Sequence, residues 1–257
     1  MIHEVRTLQR TRWAVSTLFL DIKAGFDNVN ASTLRARLLA KSIPSYMVDW
    51  VTSFLSERSC TLVFQGTLGT KAPVQVGTPK GSPISALFFL IYVAPHHSAI
   101  PRGVMNSYFD DFSLTVASGS HRNNIRPLQG LFRTFTKRGD RVEVKFSTPK
   151  TELIHWRTPS QRSRPFQAPI ALDGLLFQPA GVVGWLGYWL SLALSSQHHF
   201  SYRVALAQAS FSFVKRLSSP GAEVSPFLNH RIATGLLLPI LTKGRISSLT
   251  TPTLLTQ

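Results

Sequence analysis

The sequence is poor in cysteine and in acidic residues, and each shortage limits the classes of protein to which it can belong. Its single cysteine, Cys60, cannot form an internal disulfide, which excludes a disulfide-stapled secreted scaffold and favours a reducing compartment. Only 12 Asp and Glu stand against 28 Lys and Arg, for a formal net charge of +16. This excess of cations predicts a polyanionic partner, with nucleic acid first and an anionic membrane surface second.

Long apolar runs are also lacking. The longest runs, residues 86–95 and 235–241, are shorter than the about 20 residues that a membrane-spanning helix needs, so no transmembrane segment is predicted. The first residues contain no apolar stretch typical of a signal peptide. With 44% apolar residues, including 17 Phe, the chain can bury a core in one large or two modest domains.

Hydrophobic periodicity predicts a mixture of helices and strands. Strands are predicted over residues 14–22, 60–64, 72–76, 104–109, 112–117, 142–146, 151–156 and 182–190, with a further strand pair around Asp173 and Gly174. Helices are predicted over residues 34–40, from Pro44 at the first helical position to 55, from the end of the 77–83 loop to 92, over 123–138, from 202 to 217 and over 226–239. The turn between the second and third strands should contain Gly66 and Gly69. The Leu, Thr and Ser-rich residues 241–257 are predicted to be disordered.

The few acidic residues fall at informative places. Asp21 ends a predicted buried strand and is followed by Asp27, whereas Asp110 and Asp111 stand side by side between two predicted strands. Adjacent carboxylates repel each other, and partial burial adds to the cost, unless a cation neutralises them. Mg²⁺ prefers carboxylate oxygens and keeps positions open for phosphates, so two such clusters on a basic chain indicate two-metal phosphoryl transfer. The alternative interpretation of Asp110 and Asp111 is a polar β-turn.

Five short segments follow one another in a specific order. They are residues 19–27 (FLDIKAGFD), 77–85 (GTPKGSPIS), 107–112 (SYFDDF), 146–155 (FSTPKTELIH) and 184–188 (GWLGY). In this order they resemble motifs A, B, C, D and E of reverse transcriptases, and most closely those of non-long-terminal-repeat (LINE-type) retrotransposons. The resemblance covers about residues 15–239 and implies RNA-directed DNA polymerisation.

The resemblance also implies a fold and a set of partners. The fold would be α+β: a right-hand polymerase palm, an antiparallel sheet with helices, with partial fingers and the start of a helical thumb. Palm and fingers would occupy residues 1–200, the thumb helices 201–240 and the disordered tail 241–257. The cofactors would be two Mg²⁺ ions, with Mn²⁺ as the alternative. The partners would be an RNA template, a DNA primer and deoxynucleoside triphosphates, and no membrane partner is expected. Nuclear action is expected for the family. The oligomeric state stays open.

Several residues inherit catalytic roles from the resemblance. Asp21 would bind both metal ions and Asp110 the second, with Asp111 as a supporting carboxylate. Lys150 would lie near the triphosphate and donate a proton to the leaving pyrophosphate; the alternative is a solvated surface lysine. Phe26 would act as the steric gate that excludes a 2′-hydroxyl, and the alternative is an ordinary core aromatic.

The other inherited roles are contacts to the substrates. The motif B residues predicted to approach the template and the nucleotide are Lys80, Gly81 and Ser82, and the alternative is an ordinary helix-entry loop. The residues predicted to form the primer-grip hairpin are Trp185, Leu186 and Gly187, and the alternative is plain core packing.

Some features depart from the family pattern and support a second hypothesis. Lys80 replaces the glutamine usual in motif B, and Phe109 brings a large ring to the position before the two aspartates. Because Asp21 is preceded by only 20 residues, and the family's thumb sequence gives way to the tail, a copy truncated at both ends is expected. The alternative function is a catalytically inactive retrotransposon remnant that at most binds nucleic acid through its basic surface, and a third hypothesis is association with an anionic membrane.

Overall fold

The computed structural model describes residues 1–97, 105–141, 144–157, 166–217 and 230–243. Its helices are α1 (Ile2–Arg10), α2 (Ala31–Ala40), α3 (Ser45–Leu55), α4 (Pro83–His97), α5 (His121–Arg141), α6 (Gln197–Leu217) and α7 (Leu238–Thr242). Its strands are β1 (Ala14–Asp21), β2 (Arg58–Phe64), β3 (Thr67–Val74), β4 (Met105–Tyr108), β5 (Asp111–Ser118), β6 (Glu152–His155), β7 (Ile170–Leu172), β8 (Leu175–Phe177), β9 (Val182–Trp185) and β10 (Tyr188–Ser191). The chain divides into two compact units, Met1–Ala180 and Gly181–Gln257.

The first unit is built on a four-stranded sheet with the order β4-β5-β1-β6. All three pairings in this sheet are antiparallel. The central strand β1 is buried from Ala14 to Leu20 because neighbours cover both of its faces, which explains its nearly continuous apolar and β-branched sequence. The α+β class predicted from the sequence is therefore confirmed.

The two faces of this sheet carry different side chains, because successive residues of a strand point to opposite faces. On one face Leu18 and Leu20 of β1 lie opposite Leu114 and Phe112 of β5. These residues belong to the main core, which is completed by buried side chains of α2, α3, α4 and α5. Asp21 follows Leu20 directly in β1, so its side chain projects from the opposite face of the sheet, away from these helices.

Three boundaries differ from the sequence predictions for clear physical reasons. Pro44 is the N-cap of α3 instead of its first helical residue. The turn between β2 and β3 is Gln65-Gly66, both with positive φ, so Gly69 lies inside β3. The predicted strand 182–190 is two strands, β9 and β10, because the chain reverses at Leu186-Gly187.

Other predictions are incomplete or fall outside the described residues. Helix α1 was not predicted, because its few apolar residues, Ile2, Val5 and Leu8, stand in a largely polar sequence even though they have helical spacing. The predicted strand 142–146 is wrong in its described part, where Phe146 makes only an isolated bridge to Ile22. Parts of other predictions fall outside the described residues, in the ranges 98–104, 142–143, 226–229 and 244–257. The last range contains most of the predicted tail. None of the helices in the described ranges is long and apolar enough to cross a membrane.

The second unit contains the β9–β10 hairpin, α6 and α7, with a π-helical turn at Ala233–Leu237 before α7. The ring of Tyr188 stacks on His199 of α6 at 4.7 Å between centroids. His199 also lies within hydrogen-bonding distance of the Lys243 carbonyl, at 3.0 Å. These contacts hold the hairpin and the two helices together as one body.

Candidate active site

Three carboxylates meet at one end of the first unit's sheet. Asp21, the last residue of β1, lies directly opposite Asp111, the first residue of β5. Asp110 lies in the two-residue turn between β4 and β5, since Tyr108 pairs with Asp111. The amide of Ile22 donates a hydrogen bond to the Asp110 carbonyl at 3.1 Å, which ties this turn to the end of β1. The sheet register thus brings together residues 89 positions apart in the chain.

A lysine supplies positive charge to this cluster. Lys150 ends a 3₁₀ turn, Thr148–Lys150, and its Nζ donates to Asp21 Oδ2 at 3.0 Å. The turn is fixed beside β1 because the Ser147 amide donates to the Asp21 carbonyl at 2.8 Å. The hydrogen bond that Lys150 donates to Asp21, together with the negative charges of the aspartates, raises the pKa of Lys150 above its ordinary value. The lysine therefore stays cationic as long as Asp21 is its partner.

The carboxylates also perturb one another. Burial, followed by the negative charges of Asp110 and Asp21, raises the pKa of Asp111, and Lys150 opposes this rise. Positive charge at this point would stabilise all three ionised carboxylates. In the described ranges no three His, Cys, Asp or Glu side chains are grouped so as to hold a metal ion. The donors nevertheless suit Mg²⁺ by their chemistry, since they are hard carboxylate oxygens that repel one another until a cation joins them.

Phe26 begins a 3₁₀ turn, Phe26–Asn28, five residues after Asp21. Its ring stacks on Phe89 of α4 at 4.6 Å between centroids and lies 6.5 Å from the ring of Phe109. It is half-buried and joins the edge of the main core. The ring thus serves as a core aromatic that stays partly exposed, and its neighbour Phe109 directly precedes Asp110.

The loop that precedes α4 is clamped onto this 3₁₀ turn. The amide of Gly77 donates to the Val29 carbonyl at 2.9 Å, and that of Thr78 donates to the Phe26 carbonyl at 2.8 Å. Gly77 has φ +85°, and a Cβ at this position would lie 2.8 Å from the Asp27 carbonyl oxygen. Glycine is therefore required here both by backbone conformation and by the close approach of the two segments.

The middle of the loop is joined to the same turn by an ion pair. Lys80 Nζ donates to Asp27 Oδ2 at 2.8 Å, with both side chains at least half exposed. The next residue, Gly81, is exposed and has φ +88°, whereas Ser82 is half-buried and leads into α4. Lys80 is thus held by a carboxylate in this structure, and its predicted contact with substrate stays a prediction.

The comparisons with known proteins agree with this geometry. A family model described as reverse transcriptase (RNA-dependent DNA polymerase) matches residues 1–190. The chain belongs to this family. The probable RNA-directed DNA polymerase from transposon X-element of Drosophila melanogaster is 21% identical to this reverse transcriptase over 203 residues. That match covers 77% of this chain and 22% of the relative, so the chain spans about a fifth of the relative's length.

The resemblance to transposon reverse transcriptases is confirmed by these matches. Two solved telomerase structures, each in complex with a TWJ fragment of telomeric RNA, were also found. The one from Candida tropicalis has a TM-score of 0.48 at 12% identity, covering 96% of this chain and 41% of its own. The one from Candida albicans has a TM-score of 0.39 at 13% identity, covering 96% of this chain and 42% of its own. Both scores are low, so the fold assignment rests on the antiparallel sheet and on the family match.

The motif E segment of this reverse transcriptase lies in the second unit. Trp185 and Tyr188 pair across the β9–β10 hairpin, and Leu186 and Gly187 form its two-residue turn. Both turn residues have positive φ, +52° and +75°, as a type I′ turn requires. Arg203 of α6 donates to the Gly187 carbonyl at 3.4 Å. The hairpin itself is thus present, and its predicted contact with a primer stays a prediction.

Arg58 was missed by the sequence reasoning, although it organises the motif B loop. Its guanidinium donates to the carbonyls of Gly77 at 2.6 Å, Val76 at 3.3 Å and Leu55 at 2.9 Å. An arginine with three carbonyl partners fixes the direction in which the loop leaves β3. No local pattern signals this role, because Gly77 lies 19 positions further along the chain.

Proposed function

We propose that this reverse transcriptase polymerises DNA on an RNA template, as the catalytic part of a LINE-type retrotransposon protein. The single observation that carries the proposal is the placement of Asp21 opposite Asp111 and beside Asp110, within a domain of this family. The expected substrates are a DNA primer paired to RNA and deoxynucleoside triphosphates. The 3′-hydroxyl of the primer would attack the α-phosphate, and pyrophosphate would leave.

Asp21, Asp110 and Asp111 would hold two Mg²⁺ ions. When bound, such ions neutralise charge on the phosphates and favour ionisation of the primer hydroxyl. The chain's own contribution is to keep three carboxylates at one sheet end, on a backbone fixed by the pairing of β1 with β5. This rigidity keeps the ligands preorganised.

Lys150 would act at the leaving group. Its hydrogen bond to Asp21 raises the pKa of its ammonium, so the group enters the reaction protonated. Compensation of the Asp21 charge by a cation would weaken that bond and lower the pKa of Lys150. The ammonium could then donate its proton to the departing pyrophosphate as a general acid.

Phe26 would select the sugar of the incoming nucleotide. The stacking on Phe89 and the clamp from Gly77 and Thr78 fix the position of its 3₁₀ turn. A ring held in this way cannot move aside for a 2′-hydroxyl, so deoxynucleotides would be preferred.

The alternative function is that of an inactive remnant that binds nucleic acid through its basic surface. It is favoured by Lys80, whose ammonium pairs with Asp27 and cannot replace the hydrogen-bond acceptor of the usual glutamine. This alternative predicts salt-sensitive RNA binding that depends neither on Mg²⁺ nor on the three aspartates.

Primer extension on an RNA template, with deoxynucleotides and Mg²⁺, distinguishes the two functions. We expect extension by the unmodified chain and none by the Asp110→Asn, Asp111→Asn double variant. The control is Asp49→Asn, which makes the same Asp-to-Asn change once, at an exposed ion pair with Arg35 away from the carboxylate cluster. If the folded, unmodified chain extends no primer and still binds RNA, the remnant function is correct.

A further inference from the structure

The outer side of α5 carries a row of cations that the proposed polymerase chemistry does not use. Arg122, Arg126, Arg133 and Lys137 are all exposed. At about 100° per residue, the four side chains fall within an arc of about 60° on the helix surface. The row extends over about 22 Å, at about 1.5 Å per residue. It contains no acidic residue between Arg122 and Lys137, and Asp140 follows at its end.

The opposite side of the helix is buried, which fixes its orientation. The buried positions of α5 recur with helical spacing: His121, Asn124, Leu128, Phe132, Phe135 and Gly139. Phe135 packs edge-on against Phe112 of β5, at 5.0 Å between ring centroids. Asn124 donates to the Ala14 carbonyl of β1 at 2.8 Å. The row of cations therefore points away from the sheet.

The row lies on the opposite side of the sheet from Asp21 and Asp111. Phe112, which contacts α5, and Asp111 are neighbours in β5 and so project to opposite faces. Asp21 pairs with Asp111 and shares its face. A ligand along the outer side of α5 would therefore not occupy the carboxylate cluster.

The four cations are not engaged by carboxylates of the described residues. The ion pairs there join Arg35 to Asp49, Lys80 to Asp27 and Lys150 to Asp21. What sets the α5 row apart is its alignment: its four exposed cations lie along one side of one helix with no acidic side chain among them. Four such charges in a line match the regular charges of a phosphodiester backbone.

The chemistry of the surface favours nucleic acid over a membrane. A helix that lies on a membrane needs apolar side chains beside its cations. The other residues exposed on α5 are polar, glycine or proline: Asn123, Pro127, Gly130, Thr134 and Asp140. The apolar side of α5 is already buried against the sheet.

We propose that the outer face of α5 is a second nucleic-acid-binding surface, which holds the backbone of a single RNA strand without regard to sequence. It would keep the RNA on the protein while the template end passes through the site on the other side of the sheet. The proposal concerns binding alone and does not require that the chain polymerises DNA.

The test compares two variants of equal charge. In the row variant Arg122, Arg126, Arg133 and Lys137 are each replaced by Gln. In the control variant the same change is made at the scattered exposed cations Arg10, Arg12, Lys41 and Lys71. Binding of a single-stranded RNA without Mg²⁺ or nucleotides is measured over a range of salt concentrations. Thermal unfolding of each variant checks that it is folded.

We expect the row variant to bind RNA at least about tenfold more weakly, while the control stays close to the unmodified chain. The slope of log K against log salt should become shallower by about 3, since about 0.7 counterions are released per phosphate contact on a single strand. Photo-crosslinking of RNA should label α5 even when a short primer–template is present in excess. Equal losses in both variants, or no loss in the row variant, would overturn the proposal.

Two further outcomes also decide against it. Vesicles of phosphatidylserine and phosphatidylcholine that bind the unmodified chain and lose the row variant, with RNA binding unchanged, would assign the row to a membrane. Crosslinks confined to other parts of the chain would assign RNA binding to a site outside α5. Failure of primer extension would leave this proposal standing, because none of its measurements depends on catalysis.

Discussion

The protonation of Lys150 depends on a single carboxylate. The hydrogen bond that Lys150 donates to Asp21 is the main cause of its raised pKa, so we expect Asp21→Asn to lower the pKa of Lys150. Amine acylation near pH 10 should therefore label Lys150 faster in the variant, as peptide mass spectrometry would measure. The exposed Lys71 is the internal control and should react equally in both proteins. Equal labelling of Lys150 in both would show that Asp21 does not control its charge.

Substitution of two glycines in the motif B loop can measure how much its close packing against Phe26 and Asp27 contributes to stability. Gly77→Ala and Gly81→Ala both place a side chain at positive φ, at a cost of about 1–2 kcal/mol. An alanine Cβ at position 77 would also lie 2.8 Å from a backbone oxygen, whereas a Cβ at position 81 would have no atom within 4 Å. Urea unfolding should therefore show a larger loss of stability for Gly77→Ala. Equal losses would mean that the two segments can separate without cost.

At the scale of elements, a buried polar group makes the central sheet sensitive to acid. His155 of β6 lies 2.8 Å from Ser16 Oγ of β1, and burial lowers the pKa of its imidazole to about 4 from 6.5. Below pH 6.5 the unfolded chain takes up a proton that the folded chain refuses, so stability falls as the pH drops from 6.5 to about 4. Urea unfolding at several pH values should show this decline.

The control for this acid effect is another histidine. His155→Gln should unfold with a weaker dependence on pH between 6.5 and about 4, even though the loss of packing lowers its stability at neutral pH. His198→Gln, at an exposed position of α6, should keep the dependence of the unmodified chain. A His155→Gln variant with an unchanged pH dependence would assign the acid effect to other groups.

The β9–β10 hairpin contains a local strain that a substitution should relieve. Leu186 adopts φ +52° in a turn where asparagine is much better tolerated. Leu186→Asn should therefore slow hydrogen exchange of the hairpin amides, with a gain of about 1 kcal/mol. Leu175→Asn, at an exposed strand position, is the matched control and should bring no gain. Unchanged exchange in Leu186→Asn would show that the leucine side chain compensates for the backbone strain.

At the scale of the whole molecule, the palm elements could be predicted because their signals are local. Strand β1 and the β4–β5 hairpin follow from apolar runs that end in aspartates, and the order of motifs identifies the family. The contacts that complete the site are not local: Lys80 reaches Asp27 over 53 positions and Lys150 reaches Asp21 over 129. Helix α1 was missed because it is short and largely polar; packing of its apolar side, with Val5 fully buried, stabilises it in the fold.

The net charge of +16 should itself limit the stability of the molecule. Like charges on a compact chain repel one another, and salt screens this repulsion within a Debye length of about 10 Å at 0.1 M. Thermal unfolding should therefore shift to higher temperature as NaCl rises from about 50 to about 300 mM. The four-glutamine variant of the α5 row should start higher and gain less from salt, because it removes clustered charge. If both proteins gained equally, the repulsion would be spread over the whole surface, and the α5 row would carry no special part of it.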